Sequence, residues 1–128
     1  MLASIGGLFI SSSKNKNMTN QSATVVKATP QIVSLDREAF MARIKESNMT
    51  TIDIRTEPEF RSGNIENSIN LDFYSSNFVE SLSTLEKDAP YSIYCQSGSR
   101  SAQTLSMMRD LGFTNVAELK GGYSSLNQ

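Results

Sequence analysis

A chain of 128 residues, 38% hydrophobic and 20% charged, suits one domain with a single core, and its net charge of −1 gives no electrostatic reason to expect nucleic acid. Its single cysteine excludes an internal disulfide, a C-x-x-C redox pair and a multi-cysteine zinc site. It has no histidine, which removes histidine metal ligands, Ser-His-Asp triads and Cys-His pairs within the chain.

Residues 1–30 differ from the rest. Leu2 to Ile10 is apolar apart from Ser4, contains two glycines, and is followed by Ser11-Ser12-Ser13 and the polar run Lys14 to Ser22. The apolar part is too short to span a bilayer. No basic residue precedes it, no small-x-small cleavage site is evident, and no cysteine follows it for lipid attachment. The segment reads as a flexible leader or an added extension, with the remnant of an export signal as the alternative. The expected compartment is the cytoplasm, or an exported or periplasmic location if residues 1–17 belong to a signal. No internal repeats are evident.

The globular pattern starts at Gln31, with Ile32-Val33 as a short first strand. Ser34 or Asp36 can cap a helix running to about Glu46, with Phe40, Met41 and Ile44 on its core face. Thr51 to Ile54 reads as a compact, central, parallel strand, and Asp53 stands at its carboxyl end. A buried aspartate there needs hydrogen-bond partners, which backbone amides of a neighbouring loop could supply. Arg55 and Arg61 read most simply as solvated charges. Thr56-Glu57-Pro58-Glu59 has the form of a capping box and starts a short helix that Ser62-Gly63 ends. Ser68 to Leu71 is a further short strand, and Phe73 to Leu85 is partly helical, with Phe78, Val79, Leu82 and Leu85 at helical spacing. Lys87 to Pro90 turns the chain into the strand Tyr91 to Tyr94.

After that strand comes Cys95-Gln96-Ser97-Gly98-Ser99-Arg100, and then a helix over Ser101–Leu111 with Ala102, Leu105, Met108 and Leu111 on one stripe. The cysteine therefore lies at a strand-to-helix turn, at the carboxyl end of a strand, where ligand sites form in α/β sheets. The amides of Gln96 to Arg100 open the helix without intrahelical partners and can converge on an anion. Gly98 lets the backbone turn tightly, and Arg100 adds a fixed positive charge. Such a field favours a thiolate and a persulfide anion in its place. The plainer alternative is a buried cysteine acting as a small hydrophobe. Gly112 and Phe113 form a C-terminal cap, Asn115 to Leu119 is the last strand, Gly121-Gly122 is a close turn, and Tyr123 to Leu126 starts a final helix. Alternating strands and helices imply an α/β fold, a small parallel sheet flanked by helices on both faces, with the strand order left open.

Tyr94 to Ser101, then Leu111-Gly112-Phe113 and Leu119 to Gly122, resemble the catalytic half of a rhodanese-like domain. Ile52 to Arg55, Glu59-Phe60, Gly63 to Ile65 and Ile69-Asn70 match the same family in the same order, so the resemblance covers about residues 32–126 and assigns 31–128 to one such domain. Two departures are visible: Asn64 stands where the family usually has histidine, and Leu126 where it commonly has tryptophan. The resemblance implies a single-domain sulfurtransferase of the thiosulfate type, without cofactor or metal. Cys95 would be the nucleophile and carry a persulfide. Gln96, Ser97, Gly98, Ser99 and Arg100 would bind the donor, with Asp53 and Arg55 supporting the site from behind. Its partners would be thiosulfate or a similar donor and a cyanide, thiol or protein acceptor, with no membrane span. The alternatives are a persulfide carrier without turnover and a protein-binding module. A cysteine phosphatase is disfavoured, because four residues separate Cys95 from Arg100, one fewer than a phosphate cradle uses.

Overall fold

The computed structural model describes residues 30–127. The leader reading for residues 1–30 falls almost wholly outside them. In chain order the described elements are β1 (Gln31–Leu35), α1 (Arg37–Arg43), β2 (Thr50–Asp53), α2 (Glu57–Arg61), β3 (Ile69–Asn70), α3 (Phe78–Ser83), β4 (Tyr91–Tyr94), α4 (Ser99–Asp110), β5 (Asn115–Leu119) and a 3₁₀ turn (Tyr123–Asn127). The five strands form one parallel sheet in the order β1-β5-β4-β2-β3, so β4 is the middle strand and β2 lies one place further out.

Local chemistry explains the boundaries. Asp36 caps α1 by accepting from the amide of Ala39, and the helix ends by Ile44, short of the predicted Glu46. Thr56 and Glu59 form the expected reciprocal capping box on α2, with Pro58 in its first turn. Only Phe78–Ser83 of the predicted 73–85 segment is α-helical, and Val79 faces solvent. Gly112, at φ +99°, ends α4, and the amide of Phe113 reaches back to the carbonyl of Met108.

The sheet has helices on both faces. On one face Ile52, Ile54, Ile93, Cys95 and Val116 pack with Phe78 and Leu82 of α3 and Met108 of α4. On the other, Tyr94 and Leu119 pack with Phe40 of α1, Ile65 and, partly buried, Leu126 of the 3₁₀ turn. Pairing of Ile52 with Ile93 and of Ile93 with Glu118 fixes this alternation. It therefore sends Cys95 and Glu118 to the α4 face and Asp53 to the opposite one. Within α4 the predicted stripe is only partly correct. Met108 is buried, but Ala102 is exposed, and two polar residues, Ser101 and Thr104, take buried positions. Thr104 satisfies its hydroxyl on the carbonyl of Arg100; Ser101 turns to Cys95.

Candidate active site

Cys95 follows the middle strand directly, and the carbonyl of its neighbour Tyr94 receives the amide of Ile54, the residue after β2. The residue is wholly buried, with apolar packing on one side and donors on the other. Its Sγ accepts from the amides of Gly98 at 3.1 Å and Ser101 at 3.3 Å. The first of these amides lies in the stretch expected to supply donors; the second lies one residue beyond it. The amides of Gln96, Ser97, Ser99 and Arg100 have no protein acceptor among the described residues. Gly98 holds the turn at φ +104°, in the left-handed region.

The cradle is pinned from behind by the β5 exit. The amide of Tyr123 donates to the carbonyl of Cys95 at 2.8 Å, and the amide and hydroxyl of Ser124 both donate to the carbonyl of Gln96. Gly122, at φ +68°, lies so close that a Cβ there would fall 2.4 Å from the Gln96 carbonyl oxygen. The turn Gly121-Gly122 was legible in sequence, but its task of abutting the cysteine loop was not.

Arg55 overturns its reading as a solvated charge. It is 2% exposed, and its guanidinium grips both oxygens of Asp53, with the closest contact at 2.7 Å. It also donates to Oε1 of Gln96 and to the carbonyl of Gly63, and lies 4.2 Å over the ring of Tyr123. Burial works to lower its pKa, but the hydrogen bond and charge of Asp53 outweigh it and raise the value. Asp53 is thus satisfied by Arg55 itself, through its side chain and amide, rather than by amides of another loop. The physical reason is the i, i+2 spacing at a strand end, which lets the guanidinium fold back onto the carboxylate. Arg61 is exposed, as expected, and pairs with Glu57.

Arg100 is also engaged. Its fork makes two bonds to Glu59, at 3.0 and 3.1 Å, and lies 5.6 Å from the ring centre of Tyr74. The hydrogen bond to Glu59 raises the Arg100 pKa against the lowering effect of burial. The same bond brings the Glu59 carboxyl down to about 2. Glu59 had been legible only as a capping-box residue; its reach to the cysteine loop needed the tertiary fold. Asn64 keeps a side-chain hydrogen bond, to the carbonyl of Phe60. A cavity of about 610 Å³ is bounded by Met41, Ile65, Tyr123 and Leu126 among others, and none of residues 95–100 lines it.

The sequence profile of the Rhodanese-like domain family matches residues 36–128. The chain belongs to the rhodanese-like family. A crystal structure of a rhodanese-related protein from Thermoplasma volcanium superposes with a TM-score of 0.63 at 30% identity, covering 73% of this chain and 90% of that one. A sulfurtransferase of Allochromatium vinosum is 30% identical over 69% of this chain and 81% of its own length. A tRNA uridine(34) hydroxylase of Ehrlichia ruminantium is 33% identical over 69% of this chain, but the match spans only 35% of that protein. The chain thus spans about a third of the hydroxylases it matches. The human single-domain sulfurtransferase, at 19% identity and a TM-score of 0.62, shares the rhodanese-like fold. No helix among the described residues is long and apolar enough to cross a membrane, and no group of metal-binding side chains occurs among them.

Proposed function

We propose that this rhodanese-like domain is a sulfurtransferase that carries sulfane sulfur as a persulfide on Cys95. The Cys95 thiolate attacks the outer sulfur of thiosulfate or a similar donor. An Sγ–S bond forms, the donor's S–S bond breaks, and sulfite leaves with the electron pair. Cyanide or a thiolate then takes the terminal sulfur, and Sγ departs as thiolate. The observation that carries this reading is the pair of amides from Gly98 and Ser101 on Sγ, beside four loop amides with no protein acceptor. Donors fixed in this way stabilise an anion at the sulfur without reorganising. Gln96, Ser97, Gly98 and Ser99 line the approach in this reading, and Asp53 holds Arg55 against Gln96.

One observation favours a second reading, a persulfide carrier loaded by a protein partner. The Arg100 fork is already occupied by Glu59, so less positive charge faces a dianion such as thiosulfate. The same pairing, with the short loop, weighs against phosphate chemistry. A thiosulfate-to-cyanide assay on wild type and Cys95→Ser tests the proposal. Turnover by wild type alone supports the sulfurtransferase. Turnover retained by Cys95→Ser would refute the cysteine mechanism. A stable persulfide with negligible thiosulfate turnover selects the carrier.

A further inference from the structure

Glu118, the penultimate residue of β5, is 3% exposed, and among the described residues it has no cationic partner. A buried carboxylate so placed is stabilised only by the hydrogen bonds it accepts. It accepts two, one on each oxygen: Ser34 of β1 donates to Oε2 at 2.5 Å, and Ser101 of α4 donates to Oε1 at 2.6 Å. Ser101 is itself wholly buried, and its Oγ lies 3.6 Å from Sγ of Cys95, in position to accept from the thiol. The single hydroxyl hydrogen has a second acceptor, the carbonyl of Gly98, but at 3.2 Å, much longer than the bond to Glu118. The result is a directed chain, thiol to hydroxyl to carboxylate, all out of water and in a protein that contains no imidazole.

We infer that Glu118 is the proton acceptor for Cys95, working through Ser101, so that the buried pair shares one proton. This deepens the sulfur-transfer reading and rests on it for its role in turnover. The S–H bond of Cys95 breaks and its proton passes to Oγ of Ser101, while the Ser101 hydroxyl proton passes to Oε1 of Glu118. One negative charge moves from carboxylate to sulfur, and the net charge of the pocket is unchanged. The thiolate then attacks the donor, with Glu118 neutral beside the persulfide anion. When the acceptor removes the terminal sulfur, the proton can return along the same path. The arrangement answers the difficulty that two anions would otherwise stand close together in a buried pocket.

The other groups around the chain are accounted for. Arg100 approaches from α4 and is held by Glu59 of α2. From β1 the facing group is the Ser34 hydroxyl, and β5 contributes no other charged residue. Asp53 and Arg55 lie on the opposite face of the sheet, as does Arg43, which bonds to Ser92 and Tyr91. Glu118 is thus a positioning and proton-holding residue that acts through Ser101.

The rate of Cys95 alkylation by iodoacetamide, followed against pH in wild type and Glu118→Gln, tests the inference without needing sulfur transfer. A pair sharing one proton keeps a fixed thiolate fraction between its two macroscopic titrations, so the wild-type rate should show a plateau with pH that a lone thiol lacks. Glu118→Gln leaves a lone thiol, whose rate should fall about tenfold per pH unit toward acid. Glu118→Asn, also neutral, serves if glutamine disturbs folding. A wild-type rate that climbs like a lone thiol overturns the inference. So does a Gln variant that keeps the wild-type profile, or that is faster at every pH by one factor, which removal of a charge alone would give. Intact mass after thiosulfate is recorded in parallel. The expected pH profiles without persulfide would retain the Cys95–Glu118 pair and reject sulfur transfer.

Discussion

Removing the Asp53 carboxylate should destabilise the domain far more than its place at a strand end suggests. Asp53→Ala deletes the acceptor of four hydrogen bonds from Arg55, one from its amide and three from its guanidinium, in a pair that is 0% and 2% exposed. Breaking a buried pair on one side costs about 3–5 kcal/mol, because the remaining charge is left uncompensated. A domain of this size is stable by only about 5–15 kcal/mol, so about a fifth or more of the total is at stake. With a urea slope of about 2 kcal/mol per molar, the unfolding midpoint should fall by roughly 2 M. The freed guanidinium also loses its orientation toward Gln96 and Gly63, which carries the change into the cysteine loop. Equilibrium urea unfolding of Asp53→Ala, Arg55→Leu and Asp53→Ala/Arg55→Leu measures both effects. The double variant should recover part of the loss, since the orphaned charge is gone. A midpoint shift below about 0.5 M, or a double variant weaker by the simple sum of its parts, would show that the pair is not the anchor described here.

The Glu59 carboxyl, lowered to about 2 from an ordinary value near 4.5, makes stability depend on pH in one direction. Its contribution should be complete above about pH 4.5 and lost as pH falls through about 2; its partial exposure limits the effect to about 1 kcal/mol. Thermal melts between these values should slope less in Glu59→Gln than in wild type, and equal slopes would contradict the Arg100–Glu59 bond as the cause. Gly112→Ala and Gly122→Ala separate two uses of positive φ. At Gly112 nothing lies within 4 Å of an added Cβ, so only backbone strain, about 1 kcal/mol, should appear in melts. At Gly122 the Cβ would meet Gln96 O at 2.4 Å, so the loss should be larger and Cys95 alkylation should change with it. An unaltered alkylation rate in Gly122→Ala would mean that the turn does not set the loop.

What was legible in the sequence was whatever depends on neighbours in the chain. The strands Tyr91–Tyr94 and Asn115–Leu119, the Thr56–Glu59 box and the glycine stop of α4 stand where pattern and capping chemistry put them. The strand order did not follow from alternation, because parallel crossovers leave several orders open. Arg55 looked solvated on local pattern alone, and only the family resemblance put it beside the site, because a charge is buried only when distant groups satisfy it, here Gln96, Gly63 and the Tyr123 ring as well as Asp53. The α4 stripe erred for a related reason. Ser101 is buried with its hydroxyl bonded to Glu118 beside Cys95, a tertiary contact that an apolar count misses, so the count favoured Ala102, which faces solvent. Glu118 left no local signal at all: a single acidic residue in a short strand reads as a solvent-facing position until the register turns it toward α4.

The central claim is that sulfur resides on Cys95, and intact mass after incubation with thiosulfate alone, acceptor omitted, addresses it most directly. Wild type should gain one sulfur atom that a thiol reductant removes, and Cys95→Ser should gain none. No gain with thiosulfate or with a protein persulfide donor, or a gain that survives the Cys95→Ser substitution, would contradict the account.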